Sequence, residues 1–360
     1  MQQLRTIQSL RAIAAIAVMF AHLYGVEARH SDGVLILGSA WLVGVSGVDL
    51  FFVISGFIMV WVAGDVAPGA NAMAKFYVAR IARIYPLWWF FAGLMAIYLF
   101  ITYGVPWDAD KLAAANVGGW EHVVKSFLLV PHEAFPILPL GWTLIHEIYF
   151  YLVFGLLLLL PRSMRLPALI LWALVIMAGV SAGLTGFYAD GYISLALYPM
   201  TLEFLMGAAV AKMIQAGWTG WRWPALALGL VWLIAAQNFV DFESTDRLLP
   251  TERTFAFGPA FALLIYALVS FERTTRAGRW VPELLVRIGD WSYALYLGHL
   301  LVISAVGRVY FAVFATPSWL DNLGFVVIAS AASLVVAGLT YHGFERPLLK
   351  LSRVAREKLF

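Results

Sequence analysis

The chain has 360 residues, 62% of them hydrophobic and 12% charged, with a formal net charge of +3. At a mean hydropathy of +0.84, a water-soluble protein of this length could not bury its apolar surface, so the bilayer is the solvent and the backbone must be helical wherever it meets lipid. The absence of cysteine excludes disulfides, thiolate metal sites and a thioester on the enzyme.

Apolar spans run over 7–27, 40–63, 85–103, 140–160, 166–187, 192–213, 223–240, 254–271, 291–313 and 322–343. They predict an all-α integral membrane protein of about ten transmembrane helices in one bundle, forming a single domain over 1–360 with no appended soluble domain. The short alternating segments of a spanning β-barrel are not seen. The first span is followed too closely by others to be a plain cleaved signal, and His22 interrupts its apolar run. With the N-terminus inside, eighteen of the 24 Lys and Arg fall in inner segments and six in outer ones. The positive-inside rule then puts both termini in the cytoplasm.

The first span contains LRAIAAIAVMFAHL, Leu10 to Leu23. Arg11 and His22 differ by only about 20° around a helix and lie roughly 16 Å apart along it. Their shared face must look into a bundle or a wet cavity. Two readings stand for each: Arg11 snorkels to the inner surface or meets a ligand, and His22 makes an interhelical hydrogen bond or does chemistry. The second span contains GVDLFFVISGF, Gly47 to Phe57. A lone carboxylate such as Asp49 is expensive there and should pair. Gly44, Gly47 and Gly56 permit close approach of a neighbour, and packing alone explains them.

KFYVARIARIYPLWW, Lys75 to Trp89, puts Arg80 and Arg83 on one face of a short inner helix, after which Tyr85 and Pro86 open the third span. Paired guanidiniums suit a phosphate-bearing ligand, although spacing alone favours positive-inside topology and contact with anionic lipid. Residues 104–139 form the longest stretch outside the membrane. With Trp107, Trp120, His122 and His132 they read as an interfacial loop with tryptophan anchors, a short amphipathic cap being the alternative. The fourth span opens GWTLIHEIYFY, Gly141 to Tyr151, with Glu147 and Tyr151 one turn apart on one face. His146 and Glu147 do not make a zincin motif, since the second histidine is missing.

His22, Asp49 and Glu147 fall at similar depth in the outer half of the membrane, so a histidine–carboxylate cluster is geometrically possible. Each carboxylate either holds the bundle or holds the imidazole, and an imidazole so held suits a general base near neutral pH. His299, in SYALYLGHLLV, is expected in the inner half of the ninth span, as readily a packing residue as a ligand. Two function classes fit: a membrane transferase, or a transporter or flippase of an anionic glycan or glycolipid. The paired, broken spans in two related halves that mark a transporter are not found.

These segments together resemble acyltransferase family 3, membrane proteins that O-acylate bacterial exopolysaccharide, lipopolysaccharide and related glycans. The stand-alone exopolysaccharide acetyltransferases are the nearest kind. The resemblance rests on Arg11 and His22 with ten residues between them, GVDLFFVISGF, FYVARIARIYPLWW, GWTLIHEIYFY, SYALYLGHLLV and YHGFERP from Tyr341 to Pro347. It implies a cytoplasmic acyl-CoA donor, acetyl-CoA by default, with no metal. The acceptor is a hydroxyl of a glycan or lipid-linked saccharide, the partners are membrane lipids rather than nucleic acid, and the location is the bacterial cytoplasmic (inner) membrane. It carries over Arg11 and His22 as the essential pair. Arg80 and Arg83 become donor contacts, joined by Tyr85 and Arg11. His22 is the expected base, with Glu147 or Asp49 orienting it, and Tyr151 and His299 are expected to contact substrate. Direct transfer is preferred to an acyl-enzyme on Ser46, Ser55 or His22, because no nucleophile elbow is present.

Overall fold

The computed structural model describes residues 4–30, 35–63, 66–131, 133–185, 191–238, 240, 250–275, 277–314 and 318–359. His132 lies outside them. Every regular element among the described residues is helical. In chain order these are α1 (Arg5–His30), a 3-10 segment (Ser39–Ser46) leading into α2 (Gly47–Ala63), α3 (Ala70–Tyr103), α4 (Ala109–Ala115) and α5 (Gly119–Leu128). Then follow α6 (Gly141–Leu157), α7 (Arg162–Ser181), α8 (Tyr192–Ala196), α9 (Thr201–Gln215) and α10 (Arg222–Ala236). The chain continues through α11 (Pro250–Thr274), a 3-10 turn (Ala277–Trp280), α12 (Glu283–Val313) and α13 (Trp319–Thr340) to a π-turn (Tyr341–Glu345) and α14 (Arg346–Leu359). Among the described residues, eight helical stretches are long and apolar enough to cross a membrane, and α6 and α10 are shorter apolar helices. All ten coincide with the spans expected from the sequence.

Three boundaries differ from expectation. First, α3 is one continuous helix of 34 residues with Pro86 inside it, not a short inner helix followed by a span. Proline removes a backbone donor and costs about 3 kcal/mol in a helix interior. Here Leu87, Trp88, Phe91 and Ala92 are buried just beyond it, and that packing outweighs the cost. Second, α12 begins at Glu283, eight residues before the apolar run, because its charged first turns are amphipathic rather than unstructured. Third, residues 104–139 hold two helices instead of a plain loop. The Asp108 carboxylate caps α4 by accepting from the Lys111 amide at 3.2 Å. Hydrogen bonds from the Lys111 side chain and then its backbone hold that carboxyl below its ordinary range.

The chain divides into two compact units, Met1–Trp61 with Met206–Gly343, and Val62–Leu205 with Phe344–Phe360. In the first, α1 lies along α12 and also touches the 3-10 segment, α11 and α13. Ala12, Ala14, Ala15 and Ala21 are buried on it. A Cβ added at Gly289 would sit 2.0 Å from the Gln8 carbonyl oxygen, one at Gly44 2.2 Å from that of Ala17, and one at Gly207 1.9 Å from that of Val53. These helices therefore meet backbone to backbone, as small residues allow within a membrane.

In the second unit α6 runs beside the N-terminal half of α3. The Tyr77 hydroxyl donates to the Leu152 carbonyl at 2.8 Å. Further along α3, Trp88 Nε1 donates to the Ser126 carbonyl at 3.1 Å, Trp89 Nε1 to that of Phe127 at 3.0 Å, and the Tyr85 hydroxyl to that of Leu128 at 2.9 Å. These are carbonyls of the last turn of α5, where intrahelical donors run out; that of Ser126 also accepts from the Leu129 amide at 3.2 Å. One face of YPLWW thus caps the end of another helix. The basic amphipathic α14 also packs on α3.

Candidate active site

His22 and His299 meet in the first unit, His22 Nδ1 lying 3.4 Å from His299 Nε2 with the rings edge to face at 5.0 Å. His299 is 1% exposed. The expected depth of His299 is corrected here: with α12 starting at Glu283, it sits midway along its helix, level with His22 on α1. Each ring also bonds the carbonyl one turn back through Nδ1, His22 to Val18 at 2.9 Å and His299 to Leu295 at 3.0 Å. A carbonyl can only accept, so both Nδ1 atoms carry the proton in the neutral rings. The basic nitrogen of His22 is then Nε2, and the lone pair of His299 Nε2 faces His22 Nδ1–H.

Asp49 pairs as its cost demands, but with Arg253. Arg253 Nε lies 2.9 Å from each carboxylate oxygen, Nη2 is 2.7 Å from Oδ2, and Nη2 also donates to the Val45 carbonyl at 2.8 Å. The hydrogen-bonded partners of the His22 imidazole are accordingly the Val18 carbonyl and His299, not Asp49. Arg253 precedes the apolar run of span eight, so sequence alone counts it among the six outer cations. The signal that could have found it was Asp49 itself, which demanded a cation. Glu27, at the edge of the first apolar span, is hidden in the same way. It is fully buried, and its carboxylate accepts from the amides of Ile36 at 2.6 Å and Leu37 at 3.0 Å. Arg11 lies on the α1 face of His22 and donates to Gln8 Oε1 at 3.1 Å.

The second unit holds the other expected residues. The Tyr151 hydroxyl donates to Glu147 Oε1, the one-turn pair expected from the sequence. The Arg80 guanidinium lies 5.5 Å over the Tyr151 ring and 5.4 Å over that of Phe76. Arg80 and Tyr151 line an open cavity of about 480 Å³ with Tyr77, Tyr85, Tyr149 and Tyr192, its other walls being mostly aliphatic. The buried Nε of Arg80 has no hydrogen-bond acceptor among the described residues. Arg83 points to another partner, Glu345, at 3.8 Å. Arg80, Tyr85 and Tyr151 thus share one cavity, and Tyr85 serves it while capping α5. His146 is buried against Tyr198, with ring centroids 4.2 Å apart. No cluster of three or more His, Asp or Glu side chains among the described residues could hold a metal ion.

The acyltransferase domain of acyltransferase family 3 matches residues 4–342. The chain is 33% identical to the exopolysaccharide production protein ExoZ of Rhizobium meliloti, covering 89% of this chain and 94% of that protein. It is 28% identical to the acyltransferase MdmB of Streptomyces mycarofaciens, over 97% of this chain and 92% of that one. Nodulation protein 10 of Rhizobium leguminosarum is 26% identical, over 96% and 94%. No solved structure matches the chain. A polytopic helical chain matched almost end to end in this way belongs to acyltransferase family 3.

Proposed function

We propose that the protein moves an acyl group, acetyl by default, from cytoplasmic acyl-CoA to a hydroxyl of a cell-surface or lipid-linked glycan. It does so in the bacterial inner membrane, with both termini in the cytoplasm. The observation that carries the reading is the 2.9 Å contact of His22 Nδ1 with the Val18 carbonyl, which assigns the proton to Nδ1 and leaves the lone pair on Nε2. That nitrogen takes the proton of the acceptor hydroxyl, the oxygen attacks the thioester carbonyl, and the carbon–sulfur bond breaks. The proton returns from His22 to the departing thiolate, so no acyl-enzyme is needed.

Arg80 supports the donor assignment, because a buried guanidinium nitrogen without an acceptor invites an anionic oxygen. Arg83 and Tyr85 flank it on α3, and Arg11 supplies a cation on the α1 face of His22. Tyr151, held by Glu147, presents a phenol in the same cavity as Arg80, and Glu147 keeps that phenol oriented. Asp49 anchors α2 to Arg253 and so supports α1 indirectly. The similarity to a protein named for exopolysaccharide production favours a glycan acceptor.

The test is transfer of label from acetyl-CoA to a lipid-linked glycan extract by the purified protein in liposomes. His22→Ala should lose labelling while still binding coenzyme A. Labelling equal to wild type would remove His22 from the chemistry.

A further inference from the structure

We infer that His299 is a positioning residue for His22, taking the place that a carboxylate holds in other histidine bases. This rests on the proposal that His22 is the base. The argument is geometric. Asp49, the carboxylate of this unit expected beside His22, has both oxygens committed to Arg253. The atom facing His22 Nδ1 at 3.4 Å is instead His299 Nε2. The Leu295 carbonyl fixes the proton of His299 on Nδ1, so Nε2 is an acceptor and nothing else while the ring is neutral. His22 Nδ1–H therefore faces two acceptors, the Val18 carbonyl and the His299 lone pair.

That arrangement has a use when His22 gains a proton. On taking the hydroxyl proton at Nε2, His22 becomes an imidazolium, and its Nδ1–H becomes a stronger donor. His299 Nε2 accepts it, spreading the positive charge over two rings inside a bundle where a lone charge is costly. The Nδ1 proton moves toward His299 and back as Nε2 of His22 delivers its proton to the leaving thiolate, so the pair ends as it began. A neutral partner also differs from a carboxylate before reaction: it leaves the resting pair uncharged, so His22 stays a neutral base. The same contact limits rotation of the His22 ring, aiming Nε2 away from His299. The sequence assigned His299 to substrate contact, but its 1% exposure suits a residue acting through His22.

The test compares His299→Gln, which retains an acceptor oxygen, with His299→Met, which has similar volume and none. Coenzyme A release is followed with a thiol reagent, and the protein contributes no background because it has no cysteine. His299→Gln should keep kcat within about tenfold of wild type, and His299→Met should lose about 100-fold, the low end of general-base effects. Donor KM should be unchanged in both. Equal kcat for the two variants overturns the inference while His22→Ala stays inactive, whereas an active His22→Ala overturns the base reading itself. Spectra of the wild-type chain labelled with 15N-histidine give an answer independent of the variants. They should show His299 protonated on Nδ1, and a proton on Nε2 would sink the inference.

Discussion

Arg253 closes on both carboxylate oxygens of Asp49 across 204 positions of sequence, and the two side chains are 6% and 0% exposed. The pair ties the first turn of α2 to the first turn of α11. Removing one member of a buried pair leaves the other charge uncompensated, at about 3–5 kcal/mol. Asp49→Leu and Arg253→Met should each lower the thermal midpoint of the detergent-solubilised protein sharply. The double variant should recover much of the loss. If the double variant were as unstable as the sum of the singles, the pair would not be the reason.

The clamp of α3 on α5 gives a graded expectation. Trp88→Phe removes the buried indole's hydrogen bond to the Ser126 carbonyl, which keeps the Leu129 amide, at about 0.5–1.5 kcal/mol. Trp89→Phe should cost less, because Trp89 is 48% exposed and its acceptor is more open. Thermal midpoints of the two variants should rank in that order.

If Arg80 holds the donor as proposed, Arg80→Ala should weaken coenzyme A binding about 10-fold to 100-fold, the worth of a charge-assisted hydrogen bond. Arg80→Lys should restore only part of it, since an ammonium lacks the planar fork and stacks less well on Tyr151. Equilibrium binding of labelled coenzyme A to the purified protein measures both, and unchanged affinity in Arg80→Ala would move the phosphates elsewhere.

The spans were legible because apolar length is written directly in composition, and all ten recur as helices. What the sequence obscured lay at helix ends. Glu283, Arg287 and Asp290 made the start of α12 look like a loop, which put that start about two turns late and His299 too near the inner end of its helix. Pro86 made α3 look like two elements, because proline's cost is local and the packing that offsets it is not. The Glu147–Tyr151 pair was visible because a one-turn spacing is local. The Arg253–Asp49 and His299–His22 pairs were not, because each joins positions more than 200 apart, and spacing along one helix carries no information about which other helix lies beside it.

Gly207→Ala should abolish accumulation of folded protein, since its Cβ would fall 1.9 Å from the Val53 carbonyl oxygen and neither helix backbone can yield at small cost. Yield in a fluorescence-detected size-exclusion profile measures this.

The glycine contacts have a bearing on how loss of function is read in this protein. In a saturation screen scored by surface acetylation, Gly44, Gly207 and Gly289 would be as intolerant as His22, although none carries a reacting atom. Positions of zero tolerance would then mark two unlike things, the seams between helices and the chemistry proposed for His22. Scoring abundance beside activity would separate them: seam variants vanish from the membrane, whereas His22 variants remain there, folded and silent.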